Sequence, residues 1–204
     1  MIVYVETNFL LELAYLQERS GSCEEILRLA KTGSIALILP AFSVAEAYST
    51  WRRKNAERQQ FNVQLRKYIR ETSRSTQFSG LVDESKNVVA ALIAGGDESK
   101  ARLAAALMSI ESNGAVISLT SEIIVMAGSH EMAYSLSSQD ALVLASVKSH
   151  AEKHGGPKCF ISQDEGFDDP LIHSELLVNE CKVIVNFDDA LAHIKHGLRP
   201  EGET

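Results

Sequence analysis

Four acidic residues occupy places from which a side chain can do chemistry. Glu6 directly follows the apolar run Ile2-Val-Tyr-Val5, and Asp164 follows the run Lys158-Cys-Phe-Ile-Ser162. Glu46 lies near the start of the helical stretch after Ser34-Ile-Ala-Leu-Ile-Leu39, and Asp140 opens another helical stretch in Ser138-Gln-Asp-Ala-Leu-Val143. Brought into one cleft, like charges raise one another's pKa unless a cation neutralises them. Hard divalent ions such as Mg²⁺ or Mn²⁺ suit such an all-oxygen set. An ion held there can bind a phosphodiester and acidify an attacking water. Each acid also has a local explanation. Ser43-Val-Ala-Glu46 and Ser137-Ser-Gln-Asp140 both have capping-box spacing, and an acid in a first helical turn is stabilised by the helix dipole. Asp164 can be a turn residue. Glu6 is hardest to explain locally, because a charge placed directly after a buried strand needs a partner.

The elements that must position these acids alternate along the chain. Apolar, non-alternating runs predict strands at Ile2–Val5, Ser34–Leu39 (ended by Pro40), Ala115–Leu119, Lys158–Ser162 and Cys181–Val185. Helical spacing predicts helices over Asn8–Gln17, Ser22–Lys31, Ser43–Arg74, Val82–Ser112, Ser121–Ala133, Ser138–Lys153 and Asp188–His196, with Gly95-Gly96 breaking the fourth. Strands separated by helices, apolar on both faces, indicate an α/β fold around a parallel sheet. In such sheets functional groups collect beyond the carboxyl ends of the strands, which is where these acids fall.

Composition narrows the class. Hydrophobic residues at 45% and charged residues at 23% of 204 residues exclude disordered and collagen-like chains. No apolar run is long enough to span a bilayer, and Met-Ile-Val-Tyr-Val-Glu does not read as a signal peptide. Cys23, Cys159 and Cys181, odd in number and without C-x-x-C spacing, predict reduced thiols in the cytoplasm. His150 and His154 lie one helical turn apart but lack a third ligand for zinc. His193 and His196 are expected on the surface.

The net charge of −7 is unevenly distributed. Arg52, Arg53, Lys54, Arg58, Arg66, Lys67, Arg70 and Arg74 face only Glu57 and Glu71, a balance of +6 over residues 51–74. Trp51, Phe61 and Tyr68 interleave with these cations. That mixture suits phosphate neutralisation with base stacking, and equally a solvated helix or a surface for an acidic protein.

Four stretches together resemble the PIN-domain family of nucleases, which includes toxins of bacterial toxin–antitoxin pairs. They are Val3-Tyr-Val-Glu6-Thr-Asn-Phe-Leu10, Pro40-Ala-Phe-Ser-Val-Ala-Glu46, Ser138-Gln-Asp140-Ala-Leu-Val-Leu-Ala145 and Phe160-Ile-Ser-Gln-Asp164-Glu-Gly-Phe167. The resemblance implies a PIN-like parallel sheet flanked by helices over residues 1–197, with a helical insertion at about 52–115 and a flexible tail at 198–204. It implies an Mg²⁺- or Mn²⁺-dependent endoribonuclease in which Glu6, Glu46, Asp140 and Asp164 are catalytic, with Glu6, Asp140 and Asp164 as metal ligands. Thr7 and Asn8 match the polar pair that supports the first acid, and Asp168 is a further supporting candidate unless Asp168-Asp169-Pro170 is simply a loop. The partners implied are RNA along Arg52, Arg53, Lys54, Arg58, Arg66, Lys67 and Arg70, an antitoxin protein and a second copy of the chain. Two departures matter: the family's first acid is usually Asp rather than Glu, and the helical insertion is long. Glu6 together with the acidic overall balance motivates an alternative, a catalytically silent PIN-like domain binding RNA or protein through the basic helical arm.

Overall fold

The computed structural model describes residues 1–199. Five short strands, β1 (Ile2–Val5), β2 (Ala36–Pro40), β3 (Ala115–Ile117), β4 (Lys158–Ile161) and β5 (Cys181–Ile184), form one parallel sheet in the order β3-β2-β1-β4-β5. The strands are apolar throughout because both faces are covered. Val3, Val5, Leu37, Leu39, Cys159 and Ile161 point into one buried layer, while Tyr4, Ile38, Phe160 and Val183 point into the other. The two-residue period of the pleat sorts them. The first layer is closed by α1 (Thr7–Tyr15), α2 (Ser20–Lys31), the inner part of α5 (Lys86–Asn113) and α9 (Phe187–Gly197). The second is closed by α6 (Ser121–Tyr134), α7 (Ser138–Glu152) and α8 (Pro170–Leu177).

The sheet fixes the site. The chain builds outward from β1 through β2 to β3, then returns to lay β4 and β5 on the other side of β1. The carboxyl ends of β1 and β4 therefore flank the point where the strand order reverses, the usual location for a ligand crevice. In the β1–β4 ladder Val5 pairs with Ile161, so the next residues, Glu6 and Ser162, emerge side by side.

Between β2 and β3 the chain forms a long helical arm. α3 (Ala41–Thr72) leaves the domain, a 3-10 turn at Thr76–Phe78 and the short α4 (Leu81–Glu84) reverse the chain, and α5 returns. Between Ala47 and Gly96 no residue is fully buried. The arm is anchored at its base, where the Trp51 indole donates to Ser99 Oγ at 3.1 Å and Lys100 lies over the Trp51 ring.

Several local expectations need correction. Gly95-Gly96 does not break α5; Gly96 lies so close to α3 that a Cβ there would stand 2.5 Å from Asn55 Oδ1, and the turn preceding α5 is at Ser85. α3 starts at Ala41 directly after Pro40, so Ser43 lies buried in its first turn and caps nothing. Likewise α2 begins at Ser20 with Arg19 before it, and the Ser22 hydroxyl donates instead to Asp188. Asp168-Asp169-Pro170 is not merely a loop: the Asp169 carboxylate caps α8 by accepting the Leu171 N–H at 2.7 Å, with Pro170 in the first turn. His193 is half-buried rather than exposed. His150 accepts or donates a 2.9 Å hydrogen bond with the buried Tyr4 hydroxyl and stacks on His154 at 3.9 Å, which gives this pair a packing role. Cys23, Cys159 and Cys181 are buried, unpaired thiols. Among the described residues no helix is long and apolar enough to cross a membrane. Of the expected tail, Leu198 closes α9 and residues 200–204 lie outside the described range.

Candidate active site

Glu6 ends β1 and caps α1 in one step. Its backbone is extended, its Oε2 accepts the Asn8 N–H at 2.8 Å, and its Oε1 accepts the Ser162 hydroxyl at 3.1 Å. Only 4% of the residue is exposed. Burial pushes its carboxyl up from the ordinary 4.5 to about 8; the Asn8 and Ser162 hydrogen bonds oppose this, and the charges of Glu46 and Asp164 add to it.

Thr7 and Asn8 do different jobs. The buried Thr7 hydroxyl donates a short hydrogen bond to Glu46 Oε2, tying α1 to α3, whereas Asn8 serves Glu6 through its backbone. Glu46 is half-buried on the second turn of α3.

Asp140 is in the first turn of α7, where half of the expected capping box forms: its N–H donates to Ser137 Oγ at 3.1 Å, but its Oδ2 accepts the Ser137 hydroxyl at 2.6 Å rather than the Ser137 backbone N–H. Its pKa is nonetheless raised, first by burial and then by the charge of Asp164, against the Ser137 bond. Asp164 caps the 3-10 turn Glu165–Phe167 by accepting the Gly166 N–H at 2.8 Å, and its own N–H donates to Ser162 Oγ at 3.0 Å.

The structure thus brings Glu6, Glu46, Asp140 and Asp164 into one electrostatically coupled group at the carboxyl end of the sheet. Among the described residues none of the four is ion-paired to lysine, arginine or histidine. Asp168 is not drawn into this group; it is exposed and faces His173 Nε2 at 3.4 Å. Ser162 is not among the candidates that the sequence singles out, although a hydroxyl ending an apolar strand two residues before an acid is a readable signal. Among the described residues no three acidic, histidine or cysteine side chains are already gathered closely enough to hold a metal ion. Asp140 and Asp164 are held back by Ser137 and Gly166, so closing the group on one ion requires local rotations.

Beside the acids a cleft of about 510 Å³ is lined by Phe42, Glu46, Thr50, Arg53 and Gln139 among others. The basic stretch does not present one face to it. Arg53 lines the cleft and pairs loosely with Glu57, while Arg52 is exposed nearby on α3. Lys54 packs over the Tyr15 ring, and Arg58 is half-buried beside Gly96. Arg66, Lys67 and Arg70 stand farther out on the arm, around two other grooves. Trp51 belongs to the arm's anchor, whereas Phe61 and Tyr68 are exposed.

No curated protein gives a significant match to this sequence. The family model of the PIN domain matches residues 3–167, a span that includes all four acids, and with it the arrangement just described has its place: the chain belongs to the PIN-domain family, a nuclease-type fold.

Proposed function

We propose that the protein is a divalent-metal-dependent endoribonuclease that hydrolyses RNA phosphodiester bonds at the acidic group. The observation carrying this reading is the gathering of these acids at the carboxyl end of the sheet, where burial first, and then the charges of Glu46 and Asp164, raise Glu6, and burial first, and then Asp164, raise Asp140. Four carboxyl groups without a compensating cation, on oxygen-only donors, fit a hard divalent ion such as Mg²⁺ or Mn²⁺. Glu6, Asp140 and Asp164 would hold it, with Glu46 at the mouth of the cleft. The ion supplies charge neutralisation at the phosphodiester and acidification of a bound water. The chain's own residues orient the rest. Ser162 and the Asn8 N–H fix the Glu6 carboxylate, Thr7 fixes Glu46, and Glu46 is the carboxylate placed to accept a proton from the attacking water. Arg53, which lines the cleft, is the cation best placed to hold an RNA phosphate entering it.

The extra methylene of Glu6 is accommodated because the side chain folds back to cap its own helix. A role as toxin of a toxin–antitoxin pair, pairing with an antitoxin, homodimerisation and a cytoplasmic location rest on the family resemblance and on the unpaired cysteines. A second reading, a silent module that binds RNA or protein without cutting, is favoured by the local hydrogen bonds that engage Asp140 with Ser137 and Asp164 with Gly166.

The test is cleavage of a mixed single-stranded RNA pool in the presence of Mg²⁺ or Mn²⁺, with a chelated control. The nuclease reading expects cleavage that chelation abolishes and that Asp140→Asn loses by at least about a hundredfold. Metal-independent RNA binding without cleavage by the wild type supports the silent module.

A further inference from the structure

The outer half of the arm carries a groove unrelated to the acidic cleft. It encloses about 410 Å³ and lies between α3 and the α4–α5 segment. Its floor is aliphatic: Ile69 from α3, and Val82, Val89, Ala90 and Ile93 from the returning segment. Its rim is cationic, formed by Arg66, Arg70 and Lys86. Lys86 is paired with Asp83 at 2.6 Å, but among the described residues neither Arg66 nor Arg70 has an acidic partner.

The positions follow helical geometry. Arg66, Ile69 and Arg70 fall at i, i+3 and i+4 on α3, and Lys86, Val89 and Ile93 at i, i+3 and i+7 on α5, so both helices turn one stripe toward the groove. Two helices meeting only along a half-buried seam leave such stripes open: Val82 is 44% and Ile93 49% exposed. A third helix laid along them completes a three-helix bundle. Along α5 the groove runs from Lys86 to Ile93, about 10 Å of helical rise, which a helix of at least two turns covers.

We propose that this groove is a docking site for an acidic amphipathic helix of a partner protein. Its apolar edge would cover Ile69, Val82, Val89 and Ile93, and its flanking carboxylates would pair with Arg66 and Arg70. Charge selects this occupant over the arm of a second copy, which would bring the same cations against one another. The floor selects it over RNA, because it offers aliphatic side chains and no aromatic face for a base to stack on. The assignment is independent of the nuclease reading and stands or falls separately from it.

The experiment uses the full-length protein and three fluorescein-labelled peptides of equal length in fluorescence anisotropy at about physiological salt, where exposed charges are screened beyond roughly 8 Å. One peptide is a designed amphipathic helix with Leu and Ile on one face and Glu on its flanks. The second replaces Glu by Lys, and the third scrambles the first. Saturable binding of the acidic helix alone is expected, weakened at least tenfold by Ile93→Asp and separately by Arg70→Glu. Circular dichroism of both variants verifies that the arm stays helical; Ile93 and Arg70 are exposed enough to be replaced without disturbing a core. Equal binding of acidic and basic helices, no binding of the acidic helix, or binding unchanged in both variants overturns the proposal. Displacement of the acidic peptide by a single-stranded RNA 20-mer whose own binding is lost in Ile93→Asp assigns the groove to RNA instead. Self-association in sedimentation that Ile93→Asp abolishes assigns it to a second copy.

Discussion

Ser162 Oγ donates to Glu6 Oε1 at 3.1 Å while accepting the Asp164 N–H at 3.0 Å, so one buried hydroxyl sets the acid after β1 and the acid after β4. Ser162→Ala removes both contacts with almost no change of volume. It is expected to lower stability by about 1–3 kcal/mol, since it strips donor and acceptor from buried groups. Cleavage is expected to fall about ten- to a hundredfold through misplacement of the Glu6 carboxylate. Thermal denaturation and single-turnover RNA cleavage measure the two effects. Cleavage at the wild-type rate would remove Ser162 from the site.

Glu6 gives a pH signature in metal-free protein. Its folded pKa of about 8 lies above the ordinary 4.5, so between those values folding takes up a proton. The stability associated with neutral Glu6 is complete below about pH 4.5 and is lost as pH rises through 8. Glu6→Gln lacks that loss. Its advantage over wild type in urea denaturation is expected to grow from pH 5 to pH 8 and then level, reaching at most about 5 kcal/mol. A difference that does not change with pH would show that Glu6 ionises normally in the fold. The same substitution is expected to abolish metal-dependent cleavage.

Thr7→Val isolates the tether between α1 and α3. Valine nearly matches threonine in shape but cannot donate to Glu46, which remains half-buried on α3. The expected result is a loss of cleavage of about tenfold or more with a stability cost of about 1 kcal/mol. Retained activity with an equal stability loss would make Thr7 a purely structural contact.

Two glycines separate close backbone approach from tolerant packing. At Gly114, which ends α5 before β3, a Cβ would overlap the Leu37 carbonyl oxygen in the neighbouring strand, a rigid neighbour. Gly114→Ala is expected to destabilise by about 2–4 kcal/mol. At Gly96 the obstacle is the end of the Asn55 side chain, which can rotate away, and alanine favours the helix. Gly96→Ala is expected to change stability by less than about 1 kcal/mol. Denaturant midpoints of the two variants should therefore separate clearly; equal midpoints would contradict the packing of α5.

The strands and the order of the acids were readable because the runs are apolar throughout, and because the first ends directly at Glu6 and the run closing at Ser162 stops two residues before Asp164. What no local pattern carries is strand neighbourhood. Glu6 and Ser162 meet only because β4 returns beside β1 in the register Val5 to Ile161. The Gly95-Gly96 pair reads as a break on helix propensity alone, yet tertiary contact with α3 keeps α5 continuous. Ser43 has capping spacing, but Pro40 starts α3 earlier and buries it. The run of cations looks like one basic face in one dimension. At 3.6 residues per turn it divides into Arg53 at the cleft, Lys54 and Arg58 packed against the domain, and Arg66 and Arg70 on the outer groove. Asp169-Pro170 before Leu171 has the form of a helix start, and α8 begins there although the Asp-Asp-Pro composition also suits a turn.

The account rests on Glu6, Asp140 and Asp164 sharing one cation beside Glu46, and Mn²⁺ titration by calorimetry at low salt and pH 7.5 tests that directly. Wild-type protein is expected to bind Mn²⁺ saturably at a single class of site, with proton release as Glu6 ionises, and Asp140→Asn to bind at least about tenfold more weakly. Equal affinity in the two proteins, or no binding in either at millimolar Mn²⁺, would contradict it.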